Sequence, residues 1–241
     1  MITALLLDVD DTLIDTRAAM VSAGQAAVGQ LWPGAGASVH HGAGVRFHAD
    51  PRGYFGRFTA GKMSFAKMRA ARLADLIQTF ALGEVQEVSA AFEDAYGAAF
   101  AAHVRIFDDV RPLLAAAGAA GIPVGLLTNS SSAYTQLKLE ITGLCGAFAS
   151  VATRDSLGFG KPDPRAFHHG CRLLASTPAQ TIYVGDDIEI DALAASRAGL
   201  CAVWLAREPV DPSDAQRACA GRIPVVGSLS QVPGLWTSDV P

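Results

Sequence analysis

Cysteine is sparse in this chain and nowhere paired: Cys145, Cys171, Cys201 and Cys219 stand far apart, with no CxxC among them. That spacing argues against a zinc site or a redox dithiol, and predicts free, mostly buried thiols in a reducing compartment. Charge is scarce too, at 17% of 241 residues, and the net charge of −4 supplies no basic face for nucleic acid. It leaves open a metal or a compact positive site that attracts a phosphorylated small molecule. Long hydrophobic runs are missing. Residues 112–137 carry no formal charge, but the apolar part, 113–127, is shorter than the ~20 residues of a spanning helix. Gly118, Gly121, Pro123 and Gly125 also interrupt it. No basic stretch precedes the first apolar run, which argues against a secretory signal. Internal repeats and low-complexity tracts are absent. These absences predict a soluble, cytoplasmic protein without nucleic-acid or membrane partners.

Hydrophobic residues make up 50% of the chain, enough for a sizeable core. Short apolar runs recur at 3–8, 122–129, 148–153, 180–186, 200–206 and 222–227, each followed by small or polar residues. Their length and lack of alternation predict strands covered on both faces, as in a parallel sheet. Helical stretches lie between them at 111–120, 133–142, 164–176 and 188–198. Pro164 suits a first helical turn, and Gly121, Gly143 and Gly199 suit positions just past helix ends. This βαβα rhythm predicts an α/β fold, a Rossmann-like doubly wound parallel sheet. Residues 15–105 break the rhythm: 15–31, 64–81 and 84–104 read as helices and 33–62 as irregular. The chain therefore parses as a core, 1–14 with 106–241, carrying an inserted all-helical domain, 15–105. The final ten residues, VPGLWTSDVP, read as a weakly ordered tail.

The first strand ends in LLLDVDDTLIDT, where Asp8, Asp10, Asp11 and Asp15 crowd into eight positions. Carboxylates so close repel, and each would raise the other's pKa unless something positive is shared between them. In an open parallel sheet, ligands bind beyond the carboxyl ends of the strands. Those ends supply Asp8, Asp10, Asp11 and Thr12 from the first run, and Thr128, Asn129 and Ser130 from the second. The fourth adds Asp186 and Asp187, and the loop GFGKPDP after the third adds Lys161. Carboxylates, a hydroxyl and one ammonium at one edge suit a hard cation, with Mg²⁺ the natural candidate. Such a set also suits phosphoryl transfer. A carboxylate nucleophile can form an aspartyl-phosphate, and a second carboxylate two residues along the strand can serve as acid and base.

The chain resembles the haloacid dehalogenase-like (HAD) hydrolase superfamily, in particular its phosphatase branch. The DxDxT motif stands as Asp8-Val9-Asp10-Asp11-Thr12, the Thr ending an apolar strand as Thr128 in LLTN, the Lys before Pro as Lys161 in KPDP, and GDxxxxD as Asp186 and Asp191 in GDDIEID. The resemblance covers the core and implies that 15–105 is a helical C1 cap that closes over the site and opens for product release. It implies Asp8 as nucleophile and metal ligand, and Asp10 as general acid/base with its carbonyl on Mg²⁺. Thr128 and the Asn129 amide would hold the phosphate. Lys161 would steady the phosphoryl group and Asp8, and Asp186 would complete the metal site. Asp191 is expected behind the metal rather than on it, with Asp187 the alternative contact. Asp11 stands where family members often have Gly and is taken as a tolerated neighbour. Dehalogenase relatives replace Asp10 by an aromatic residue and phosphonatases by a small one, so its retention favours a phosphatase or a phosphomutase. The stretches 136–144 and 191–205 further resemble the nucleotidase and acyl-sugar-phosphatase-like subgroup. The expected activity is Mg²⁺-dependent hydrolysis of a small phosphomonoester. A sugar phosphomutase is the alternative, and a non-catalytic phosphate-binding module comes third.

Other conspicuous residues have plainer explanations. Adjacent His40-His41 and His168-His169 point apart in a helix or a strand and are expected on the surface or in loops. His103 ends an Ala-rich helix, where a cation is mildly favoured. Arg69 and Arg72, three apart, predict a solvated or ion-paired helix face. Trp32, Trp204 and Trp236 are expected to pack. The stretch 46–58, with Arg46, His48, Arg52, Arg57 and aromatics, either selects the leaving group or packs on its own domain.

Overall fold

A computed structural model of the chain describes residues 1–84 and 87–236, which divide into two compact units. The first joins Met1–Ile14 to the residues from Ile106 onwards; the second is Asp15–Arg105. Strand β1 (Ala4–Leu7) leads into the second unit, formed by α1 (Thr16–Leu31), α2 (Ala37–Ala49), α3 (Tyr54–Thr59), α4 (Phe65–Thr79) and α5 (Val88–His103). The first unit resumes with α6 (Val110–Ala119), β2 (Val124–Thr128), α7 (Ser132–Ile141), β3 (Ser150–Thr153), α8 (Arg154–Leu157) and α9 (Pro164–Leu173). It continues through β4 (Thr181–Gly185), α10 (Ala194–Arg197), β5 (Cys201–Leu205), α11 (Pro212–Ala220) and β6 (Val225–Val226).

The six strands form one parallel sheet in the order β3-β2-β1-β4-β5-β6, the doubly wound arrangement expected from the alternating runs. Every residue of β1, β2 and β4 is buried, so their unalternating apolar composition matches two covered faces. Leu6, Phe167, Tyr183 and Trp204 anchor the core on one side of the sheet. The order reverses between β1 and β4, where Leu7 is in register with Leu126 on one side and Val184 on the other. The next residue, Asp8, is therefore set into the crevice at the switch point. Gly121, Gly143 and Gly199 follow helix ends with φ of 67°, 65° and 84°, and Pro164 opens α9. The helix expected over 164–176 stops at Leu173, since Ala175 turns to φ 50°. Over 188–198, a π-helical turn (Ile188–Leu193) precedes α10.

Several expectations need correction. Residues 33–62 are not irregular: α2 and α3 lie there. Their glycines weaken helix propensity, and at Gly44 of α2 packing reverses that penalty. A Cβ on Gly44 would stand 2.2 Å from the Val21 carbonyl oxygen, so α1 and α2 meet backbone to backbone through Gly24 and Gly44. Arg69 and Arg72 are not a solvated face; each is only 6% exposed. The Arg69 guanidinium lies 4.6 Å from the Phe47 ring and 4.1 Å from that of Tyr96, and Arg72 lies 4.3 Å from Phe47. Arg69 Nε also donates to Glu93 at 2.9 Å. Aromatic faces and ion pairing replace water here. Of the cysteines only Cys171 is buried; Cys145 and Cys219 are exposed. Residues 232–236 are not the weakly ordered tail expected, because Val232 is buried and a 3₁₀ segment spans Leu229–Leu235; the rest of that expectation, 237–241, lies outside the described residues. No helix among the described residues is long and apolar enough to cross a membrane.

Candidate active site

Asp8 is the first residue beyond β1, and its N–H donates to the Val184 carbonyl at 2.9 Å. Its side chain is buried, and Lys161 Nζ approaches Asp8 Oδ1 at 2.5 Å. The same ammonium donates to Asp191 Oδ1 at 2.6 Å and to the Tyr183 hydroxyl at 2.9 Å. Tyr183 in turn donates to Asp191 Oδ1 at 2.6 Å. Gly185 makes room for this arrangement: a Cβ there would stand 2.4 Å from Asp191 Cγ. One buried lysine thus bridges Asp8, just beyond β1, and Asp191, in the π-helical turn after β4.

Carboxylate oxygens of Asp8, Asp186 and Asp191 lie within 4.8 Å of one another. Burial pushes the Asp8 carboxyl up to about 7, opposed by Lys161 and assisted by Asp191 and Asp10. Asp186 rises to about 9 through burial first, and then through the charges of Asp8 and Asp191. Burial would lower Lys161, but Asp191 and Asp8 outweigh it and carry the ammonium above its ordinary value. The protein's own cations therefore leave this cluster short of positive charge. Hard oxygen donors under mutual repulsion fit a divalent cation such as Mg²⁺. Asp191 already spends its oxygens on Lys161, Tyr183 and, at 3.2 Å, the Asp187 N–H. Asp187 accepts from the N–H groups of Glu189 and Ile190 at 2.8 Å and so caps the π-helical turn.

The residues after β1 form a tight turn. Leu13 and Ile14 both donate to the Val9 carbonyl, and Asp11 donates to Ile14 O at 2.7 Å with φ 55°. Arg207 holds the turn from outside, donating to Thr12 O at 2.8 Å while paired with Asp109. At the end of β2, Thr128 Oγ1 accepts from the Ser130 N–H at 3.0 Å. Asn129 Nδ2 donates to the Lys161 carbonyl at 2.9 Å and ties that loop to the Lys161 loop.

The haloacid dehalogenase-like hydrolase family matches residues 2–199. The chain belongs to that family. A phosphoglycolate phosphatase of Thiobacillus denitrificans is 34% identical over 115 residues, covering 48% of this chain and 50% of that protein. A phosphoserine phosphatase of Thermus thermophilus is 34% identical over 109 residues, 44% of each chain. The chain thus matches about half the length of these curated relatives. In three dimensions it resembles the HAD hydrolase YfnB of Bacillus subtilis, solved bound to magnesium, with TM-score 0.75, 20% identity and coverage of 98% and 99% of the two chains.

Within this HAD-family core, Asp8, Lys161, Asp186 and Asp191 converge, with Asn129 attached through Lys161. Of the tryptophans expected to pack, Trp32 and Trp204 are buried and Trp236 is half-buried, and Trp204 Nε1 donates to the Asp186 carbonyl at 2.7 Å. His40 and His168 bond to backbone carbonyls of Trp32 and Ala198. Arg46 and Arg52 both pair with Asp75, and Arg57 stacks over Tyr54, so packing accounts for much of 46–58. Sequence reasoning missed Tyr183, hidden in an apolar strand run, and Lys138. Lys138 is buried, and its ammonium pairs with the Asp10 carboxylate. The available signal was a lone lysine on the helix that directly follows Thr128.

Proposed function

We propose that this HAD-family hydrolase is a Mg²⁺-dependent phosphatase of a small phosphomonoester, acting through an aspartyl-phosphate on Asp8 in the cytoplasm. The observation that carries this reading is the buried Asp8 on Lys161, with a second carboxyl, Asp10, two residues on. Asp8 attacks phosphorus; the bond to the leaving oxygen breaks as Asp10 delivers its proton there. Asp10, now a carboxylate, takes a proton from water, which attacks the same phosphorus and frees Asp8 and inorganic phosphate. Lys161, Thr128 and Asn129 offset charge on the phosphoryl oxygens. Asp8, Asp186 and the Asp10 carbonyl would hold Mg²⁺, with Asp191 and Asp187 positioned behind. When bound, the cation supplies the positive charge that the carboxylate cluster lacks. The role of residues 15–105 as a C1 cap is part of the same proposal.

The partial relatives are named for different substrates, phosphoglycolate and phosphoserine, which supports a phosphorylated metabolite without selecting one. The purified protein is expected to hydrolyse p-nitrophenyl phosphate with Mg²⁺ and to lose that activity to EDTA. Asp8→Asn is expected to fold normally, yet trap no phosphoenzyme and lose at least ~10³-fold in rate, as a missing nucleophile should. Turnover only with a sugar bisphosphate present would favour the mutase. Tight phosphate and Mg²⁺ binding without turnover would favour the binding module.

A further inference from the structure

Lys138 is the second buried ammonium of the first unit, and no family motif includes it. It lies on α7, whose N-terminus is capped by Ser131 just past the end of β2. Helical side chains lean toward the N-terminus of their helix, so Lys138 reaches back to the strand ends. Nζ comes within 3.4 Å of Ser130 Oγ and closes on Asp10 Oδ1. The lysine side chain is 4% exposed, whereas that of Asp10 is 31% exposed. Asp10 is thus partly exposed and paired with a desolvated cation. Removing the carboxylate partner of a buried ammonium strands a desolvated charge, which costs more than breaking a surface pair.

We infer that Lys138 is a positioning residue for Asp10, an assignment that rests on the phosphatase reading above. As the Asp10 carboxyl gives its proton to the leaving oxygen, negative charge develops on Asp10, and the Lys138 ammonium stabilises that charge in place. The contribution is largest where proton transfer matters most, with alkyl phosphates whose alkoxides leave poorly. It is smallest with p-nitrophenyl phosphate, whose phenolate leaves without a proton.

The test compares kcat/KM, which reports formation of the aspartyl-phosphate, for an alkyl phosphate and p-nitrophenyl phosphate. Lys138→Met is expected to lose at least tenfold more on the alkyl ester than on the aryl ester, and Lys138→Arg to recover part of that selective loss. In an Asp10→Asn background, Lys138→Met is expected to add nothing further on either ester. Lys138→Gln, which keeps a donor and a long side chain, serves if the Met variant does not fold. Equal losses on both esters, or additive losses in the double variant, overturn the inference while wild-type turnover leaves the phosphatase reading standing. A wild-type protein that hydrolyses neither ester removes that reading, and this inference with it.

Discussion

Asp11 stands at φ 55°, in the left-handed region that favours glycine, which gives a backbone reason for the glycine often found at this place in the family. Aspartate tolerates that region better than most residues, so its presence is compatible with the turn. Tyr183 shows the reverse case, a residue invisible as chemistry in the sequence yet central in space. It is fully buried, and its hydroxyl links Lys161 to Asp191. Tyr183→Phe removes one donor and one acceptor while keeping the ring against Phe167. The expected cost is about 1–3 kcal/mol in urea denaturation, because Asp191 loses a partner where water does not replace it. An unchanged midpoint would show that the hydroxyl contributes nothing.

At the scale of elements, strands were easier to foresee than helices. A run buried on both faces must be apolar throughout, and that pattern survives any neighbour. Helix α2 was hidden because its small residues look like loop composition until α1 is packed against it. Gly44 carries that contact, since the Val21 carbonyl leaves no room for a Cβ. Gly44→Ala is expected to destabilise by about 1–3 kcal/mol through overpacking, read by thermal or urea melting. Gly56 in α3 has nothing within 4 Å of its Cβ position, so Gly56→Ala is expected to be neutral or to stabilise by up to about 1 kcal/mol through helix propensity. Equal effects at the two glycines would contradict this account.

Across the first unit, segments far apart in sequence are tied together by Asp109. It accepts from Arg207 through both oxygens at 2.9 Å, from Ser228 Oγ at 2.7 Å and from the Leu229 N–H at 2.9 Å. Burial alone would raise this carboxyl, but those hydrogen bonds outweigh it and hold its pKa below the ordinary value. A depressed native pKa stabilises the fold above the unfolded carboxylate value of roughly 4, and that contribution fades as pH falls through the native value. Asp109→Asn is therefore expected to cost about 2 kcal/mol near neutral pH. The gap to wild type should narrow in acid. Denaturation at pH 7 and below pH ~4 checks it; a gap that widens in acid reverses the sign and removes the explanation.

What the sequence by itself determined was the covalent order of apolar runs and the identity of the groups at their ends. A doubly wound parallel sheet follows from that order; the strand order and its switch point between β1 and β4 come from the tertiary structure. Position at the strand ends and in the loop after the third run singled out Asp8, Asp186 and Lys161, and the family resemblance added Asp191. Only the tertiary structure decided which of them touch: that Lys161 bridges Asp8 and Asp191, that Tyr183 completes the bridge, and that Lys138 lies under Asp10. It also decided that Arg69 and Arg72 are buried. The physical reason is that a side chain's charge is local information, whereas its desolvation and its partners depend on residues far along the chain, 153 positions for Asp8 and Lys161 and 195 for Thr12 and Arg207. LLLDVDDTLIDT names the carboxylates; the fold supplies the two buried lysines that let them stand together.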